Sequence, residues 1–179
     1  MYAVDLFLDE KSSEYIKSIW KELSKNKIGS GLDNVKLLEP HITLAIYDEI
    51  SDLNDFISRL RDFSKGLKSM KSRFDILGSF PTTGTCLISP MITEEILSMH
   101  RDFYKVMKDY DYSAREFYKP ERWNPHCSLA SSLSLEELKK VFEYALNVFV
   151  PFEGAFYGIG LYDLKTDKLG KVIKSKRLF

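Results

Sequence analysis

The chain has 179 residues, 44% of them apolar and 29% charged, with lysine plus arginine equal to aspartate plus glutamate at 26 each. That length suits one compact domain, or two small lobes sharing a core, and the composition excludes a disordered chain. A formal net charge of zero argues against holding long duplex nucleic acid through a basic surface, and leaves a small anionic ligand or one end of an RNA as the expected partner. No segment approaches the roughly 18 apolar residues of a membrane span. The opening "MYAVDLFLDE" carries acids where a secretory signal needs bases, so a cytoplasmic location is expected; a monomer is expected as well. Cys86 and Cys127 form no disulfide framework and no C-x-x-C spacing, and read as reduced packing residues.

In chain order, "YAVDLFLD" sets Val4, Leu6 and Leu8 against Asp5 and Phe7 and predicts a strand. "KSSEYIKSIWKEL" places Tyr15, Ile16, Ile19, Trp20 and Leu23 at helical spacing, with Ser12 or Ser13 as its cap. After a loop containing "IGSG", "EPHITLAIYD" predicts a strand, "SDLNDFISRLRDF" an amphipathic helix and "RFDILGSF" a third strand. The second half repeats the order: strand "TCLIS", helix "TEEILSMHRDFYKVM", a polar loop, strand "PHCSLASSL", helix "LEELKKVFEYALNVF" and strand "GAFYGIGLYDL". A last segment, "GKVIKSKRLF", reads as a lysine-rich edge strand, with Lys174, Lys176 and Arg177 solvated or guiding an RNA.

A shift of 85 positions pairs Pro40 with Pro125, His41 with His126, Thr43 with Ser128, Leu44 with Leu129 and Ala45 with Ala130. It also pairs Leu53 with Leu138 and Phe56 with Val141, so the repeat covers a strand and a helix. Self-similarity at a fixed period is a statement about architecture. It predicts a single domain, 1–179, of two related lobes, approximately 1–83 and 84–179, facing each other across a pseudo-two-fold axis.

Residues i and i+2 of a strand share a face, so each lobe offers an imidazole beside a hydroxyl: His41 with Thr43, and His126 with Ser128. Brought together, two histidines can serve phosphodiester chemistry without a metal. One takes a proton from the attacking oxygen and the other protonates the departing one, since an ordinary imidazole pKa near 6.5 leaves both forms accessible. The hydroxyls can donate to the non-bridging oxygens. There is no H-x-H or H-E-x-x-H pattern, so no metal site and no cofactor are expected. The third histidine, His100, lies in a helix pattern and reads as structural.

"PHITLA" and "RWNPHCSLA" together resemble the paired signature of the two-histidine phosphoesterase superfamily, which includes the 2′-5′ RNA ligase-like proteins and the cyclic phosphodiesterases. The resemblance implies a bilobal α+β fold of two antiparallel sheets with outer helices around a central cleft. It also implies catalysis by His41 and His126, phosphate contacts by Thr43 and Ser128, and action on phosphodiesters of a ribose 2′ oxygen by hydrolysis or 2′-5′ ligation. The alternative is a nucleotide- or RNA-end-binding module without useful turnover. For the rim of the cleft, "FYKPERWNPH" offers Tyr118, Lys119, Arg122 and Trp123 to pair with phosphate or stack on a base, and Phe80 of "FPTT" is a further candidate.

Overall fold

In the computed structural model, which describes residues 1–29, 31–166 and 172–179 and leaves out the side chains of Ile173 and Lys174, the predicted strands and helices form in the predicted order. Strands β1 (Tyr2–Leu8), β2 (His41–Tyr47) and β3 (Met70–Phe80) alternate with helices α1 (Glu10–Lys25) and α2 (Leu53–Lys65). Strands β4 (Thr85–Pro90), β5 (Cys127–Ala130) and β6 (Phe152–Thr166) alternate with α3 (Glu94–Val106) and α4 (Leu135–Val148), and β7 (Val172–Arg177) follows. Short 3-10 turns fill the polar loops, among them Glu116–Tyr118. No helix of the described residues is long and apolar enough to cross a membrane.

The helix ends are set by short polar side chains that satisfy first-turn N–H groups. Asp52, Thr93 and Ser134 cap α2, α3 and α4, the last through a reciprocal capping box with Glu137. Helix α1 departs from expectation. Its cap is Asp9, not Ser12 or Ser13, because both serines lie buried inside the first turn. The Asp9 carboxylate accepts from the backbone N–H and hydroxyl of Ser12 and from the Ala155 N–H. These bonds outweigh burial and hold that carboxyl below its usual range.

The strands form an antiparallel path in the order β2-β1-β6-β3-β4-β5, with β7 on β6. Exchanging β1 with β4, β2 with β5 and β3 with β6 turns this order into itself read backwards, as the repeat leads one to expect. The two expected sheets are its halves, β2-β1-β6 and β5-β4-β3, and they are continuous because β3 pairs with β6. Fifteen residues of β6 make this possible: one edge takes β1, while the other takes β3 at Phe152–Phe156 and β7 at Tyr162–Thr166. Each third strand therefore lies beside the first strand of the other repeat.

The repeat extends to the ladder. In the first half Val4 pairs with Ala45 and Asp5 with Thr43, skipping Leu44; in the second, Cys86 pairs with Ala130 and Leu87 with Ser128, skipping Leu129. The same bulge occurs at the same place, which makes Leu87 the structural counterpart of Asp5. One face of the strands, with Val4, Leu6, Leu8, Ile42 and Leu44, packs against Ile16, Trp20, Phe56 and Leu60 of the helices. The opposite face carries the histidines. The end strands β2 and β5 approach each other, so the sheet curls toward that second face.

Candidate active site

His41 opens β2 and His126 directly precedes β5, each after a proline that cannot donate to the ladder. His41 Nδ1–H donates to the Glu39 carbonyl at 2.6 Å, and His126 Nδ1–H donates to the Asn124 carbonyl at 2.7 Å. This shared bond to the residue two places earlier fixes each ring and leaves Nε2 as the nitrogen not engaged by it. Both side chains are partly accessible. Cys127 on β5 lies against the His41 backbone, and burial pushes its thiol up to about 12, which makes it an inert packing residue. The two half-sites thus meet. Burial lowers the pKa of His126, the Asn124 carbonyl opposes that shift, and the charge of His41 adds to it, so the imidazoles lie within electrostatic reach.

Two tryptophans hold these strands from outside. Trp123 Nε1–H donates to the Thr43 carbonyl at 2.8 Å and Trp20 Nε1–H donates to the Ser128 carbonyl at 3.0 Å. Both acceptors belong to the hydroxyl residue of the motif, whose outward carbonyl has no ladder partner at the end of a sheet. His100 backs the same region: it is buried, donates from Nε2 to the Leu44 carbonyl at 3.0 Å and stacks on Trp123 at 3.9 Å between ring centroids. Its structural reading agrees with this placement.

The surroundings of the two histidines differ. The rings of His126 and Phe80 meet perpendicularly, with centroids 4.8 Å apart and planes at 90°. His41 Nε2 lies 3.7 Å from Oδ1 of Asp5, which is only 2% exposed. Thr43 Oγ1 donates to that same carboxylate oxygen at 2.9 Å. Burial raises the Asp5 carboxyl above its usual range, against the opposing effects of His41 and Thr43. The expected phosphate donor Thr43 is therefore already engaged by Asp5, whereas Ser128 Oγ makes no hydrogen bond among the described residues. The sequence signal for Asp5 was a lone acid among apolar neighbours in "AVDLFL". The fixed 85-residue shift sets it against Pro90, and only the ladder shows its counterpart to be Leu87.

The rim candidates separate. Phe80 touches His126. Tyr118 is half-buried and faces the site, since its raised phenol pKa follows from burial and then from the charge of Asp5. Trp123 is 8% exposed with one face covered by His100, so it supports β2 and has no free face for a base. Lys119 and Arg122 both pair with Glu116, at 2.6 and 3.3 Å, and Arg122 covers the exposed ring of Phe117. Arg177 from β7 lies over the ring of Phe7 at 4.8 Å, and Phe7 is the ladder partner of His41, which brings this cation beside the first half-site. The side chain of Lys174 falls outside the described residues.

A separate cavity of about 680 Å³ between α2 and α3 contains neither histidine, and its acidic lining, Asp62, Glu95 and Asp102, disfavours an anionic ester. Among the described residues no group of three or more His, Cys, Asp or Glu is arranged to hold a metal ion.

The fold is shared with solved structures. Escherichia coli LigT complexed with 3′-AMP is 13% identical, with a TM-score of 0.63 over 99% of this chain and 94% of that one. The protein TT0787 of Thermus thermophilus is 14% identical, with a TM-score of 0.61 over 99% and 97%. A crystal structure described as a phosphoesterase gives 12% identity and a TM-score of 0.60 over 99% and 97%. A comparison with curated proteins found no match. Structural likeness at such identities speaks only for the fold, but the family model described as the 2′-5′ RNA ligase superfamily matches residues 9–168, a span containing both histidine motifs. With both repeated strands and their imidazole-hydroxyl pairs inside that span, the chain belongs to the 2′-5′ RNA ligase superfamily.

Proposed function

We propose that the protein is a metal-independent phosphoesterase that opens phosphodiesters involving a ribose 2′ oxygen, with His41 and His126 as its proton-transferring pair. The observation that carries this reading is the repeated Nδ1–H bond, which presents two Nε2 atoms from strands that meet edge to edge. In hydrolysis of a 2′,3′-cyclic phosphate, one Nε2 accepts a proton from water as the new P–O bond forms. The other gives a proton to the ribose oxygen as the old bond breaks. Running the same ring-opening step with a 5′ hydroxyl in place of water joins two RNA ends, so one site serves hydrolysis and ligation. Ser128 donates to a non-bridging oxygen, and Arg177 adds positive charge beside the first half-site. A mononucleotide-sized substrate agrees with the zero net charge of the chain and with the 3′-AMP, ATP and NADP+ complexes of LigT. A single domain of two repeats, 1–83 and 84–179, is the architecture we infer for it.

The test is turnover, in EDTA, of nucleoside 2′,3′-cyclic phosphates, ADP-ribose cyclic phosphate and 2′-5′ linked oligoadenylate. Loss of either proton-transferring group typically costs ~10² to 10⁴ in rate, so His41→Ala and His126→Ala should each lose at least a hundredfold in kcat while still binding nucleotide. Unchanged turnover in both variants would remove the site assignment. Nucleotide binding by the wild type without turnover of any substrate would replace the enzyme with a binding module.

A further inference from the structure

The two half-sites repeat in backbone but not in charge. At equivalent ladder positions the first has Asp5 beside Thr43 and the second has Leu87 beside Ser128. A carboxylate in mid-sheet, 2% exposed and facing Gly160 of β6, is costly unless a positive charge answers it. The titratable groups whose electrostatics involve Asp5 are His41 on β2, Cys127 on β5, Tyr162 on β6 and Tyr118 on the 3-10 turn, with Thr43 as its hydrogen-bond donor. Of these only His41 can become a cation. Its Nε2 is 3.7 Å from Asp5 Oδ1, inside ion-pair range but beyond a hydrogen bond, so its N–H remains available to a substrate. His126 has the perpendicular ring of Phe80 in place of a carboxylate.

We propose that Asp5 is a positioning residue that fixes the direction of proton flow: it keeps the imidazolium on His41, which makes His41 the donor to the departing oxygen and His126 the acceptor. This rests on the phosphoesterase reading above. In the step, His126 Nε2 takes a proton from water while the water oxygen bonds to phosphorus. The P–O bond to ribose breaks, its electron pair stays on the ribose oxygen, and that oxygen takes the proton from His41 Nε2. The products leave His41 neutral and His126 protonated, and exchange with solvent restores the starting state. The Thr43 hydroxyl, donating to Asp5, serves the carboxylate, and Ser128 remains the hydroxyl for phosphate.

Two measurements test this. The ¹⁵N shifts of both imidazoles in the wild type at neutral pH should report imidazolium at His41 and neutral imidazole at His126, and Asp5→Asn should move only His41 toward the neutral form. Two neutral imidazoles in the wild type, or no movement of His41 in the variant, overturn the proposal without reference to turnover. The second measurement compares a 2′,3′-cyclic phosphate, whose ribose leaving group needs a proton, with a nucleotide p-nitrophenyl ester, whose leaving group does not. Because general acid catalysis contributes ~10² or more, Asp5→Asn should lower kcat at least about tenfold on the cyclic phosphate and under about threefold on the ester. It should also move the alkaline limb of the cyclic-phosphate pH profile to lower pH. Equal losses on both substrates with an unmoved profile would mean a merely structural residue. Asp5→Leu, which copies the second half-site, is the companion variant should asparagine fail to fold. If the wild type cleaves neither substrate, the enzyme reading fails while the NMR result still judges the Asp5–His41 pair.

Discussion

His100 shows how one buried imidazole links stability to pH. Burial lowers its pKa to about 4, against the stabilising bond to Leu44. In the unfolded chain the group titrates near 6.5. Between those values the unfolded state binds a proton that the native state refuses, so stability rises with pH across this window and is lost as pH falls from 6.5 toward 4. The full effect is on the order of 3 kcal/mol. His100→Gln, which keeps a donor for Leu44, should therefore lose less stability than the wild type when urea unfolding is moved from pH 7 to pH 4.5, and equal losses would refute the linkage. At this scale His41, His126, Thr43 and Ser128 stand out in the sequence as candidates because they form a repeated polar pair in an apolar strand. Asp5 could not. Alternation places it on a solvent face, whereas the curl of the sheet buries that face, and Phe7 with it.

Among the elements, the end strands depend on side chains to complete their bonding. Trp20 and Trp123 each satisfy a carbonyl that no neighbouring strand can reach. Trp20→Phe and Trp123→Phe should each cost about 1 to 3 kcal/mol, since the acceptor is left without its donor. Trp123→Phe should also lower kcat through looser placement of Thr43. Urea midpoints and steady-state kinetics check this; unchanged values for both variants would show that water replaces the indoles without loss. Helix and strand order was legible because period 2 and period 3.6 alternate clearly along the chain. The capping of α1 was not, because Ser12, Ser13 and Asp9 are all good cap residues, and the choice is made by the bond from Ala155 of distant β6. Trp123 is hidden for a related reason: an indole in a polar loop reads as a rim residue until the partner that covers it, His100, is placed by tertiary contact.

At the scale of the whole molecule, the exchange of third strands ties the repeats together. With β3 on β4 and β6 on β1, neither 1–83 nor 84–179 holds a complete half of the sheet. Unfolding should be one cooperative transition by circular dichroism and by fluorescence, and neither segment expressed alone should give a dispersed amide spectrum. Two separable transitions would show that the halves fold independently. The repeat was visible in sequence, but this exchange was not, because strand pairing between halves leaves no trace in a periodic pattern.

The curl that brings β2 to β5 also bears on solubility. Open sheet edges invite strands from other molecules and seed aggregation. Here the two edges of the path turn toward each other, and their outward groups are engaged by the indoles and by the Arg115 N–H on the Ile46 carbonyl. The arrangement that brings the two histidine strands together therefore also guards against intermolecular strand addition, and damage to the indole contacts would be felt in colloidal behaviour.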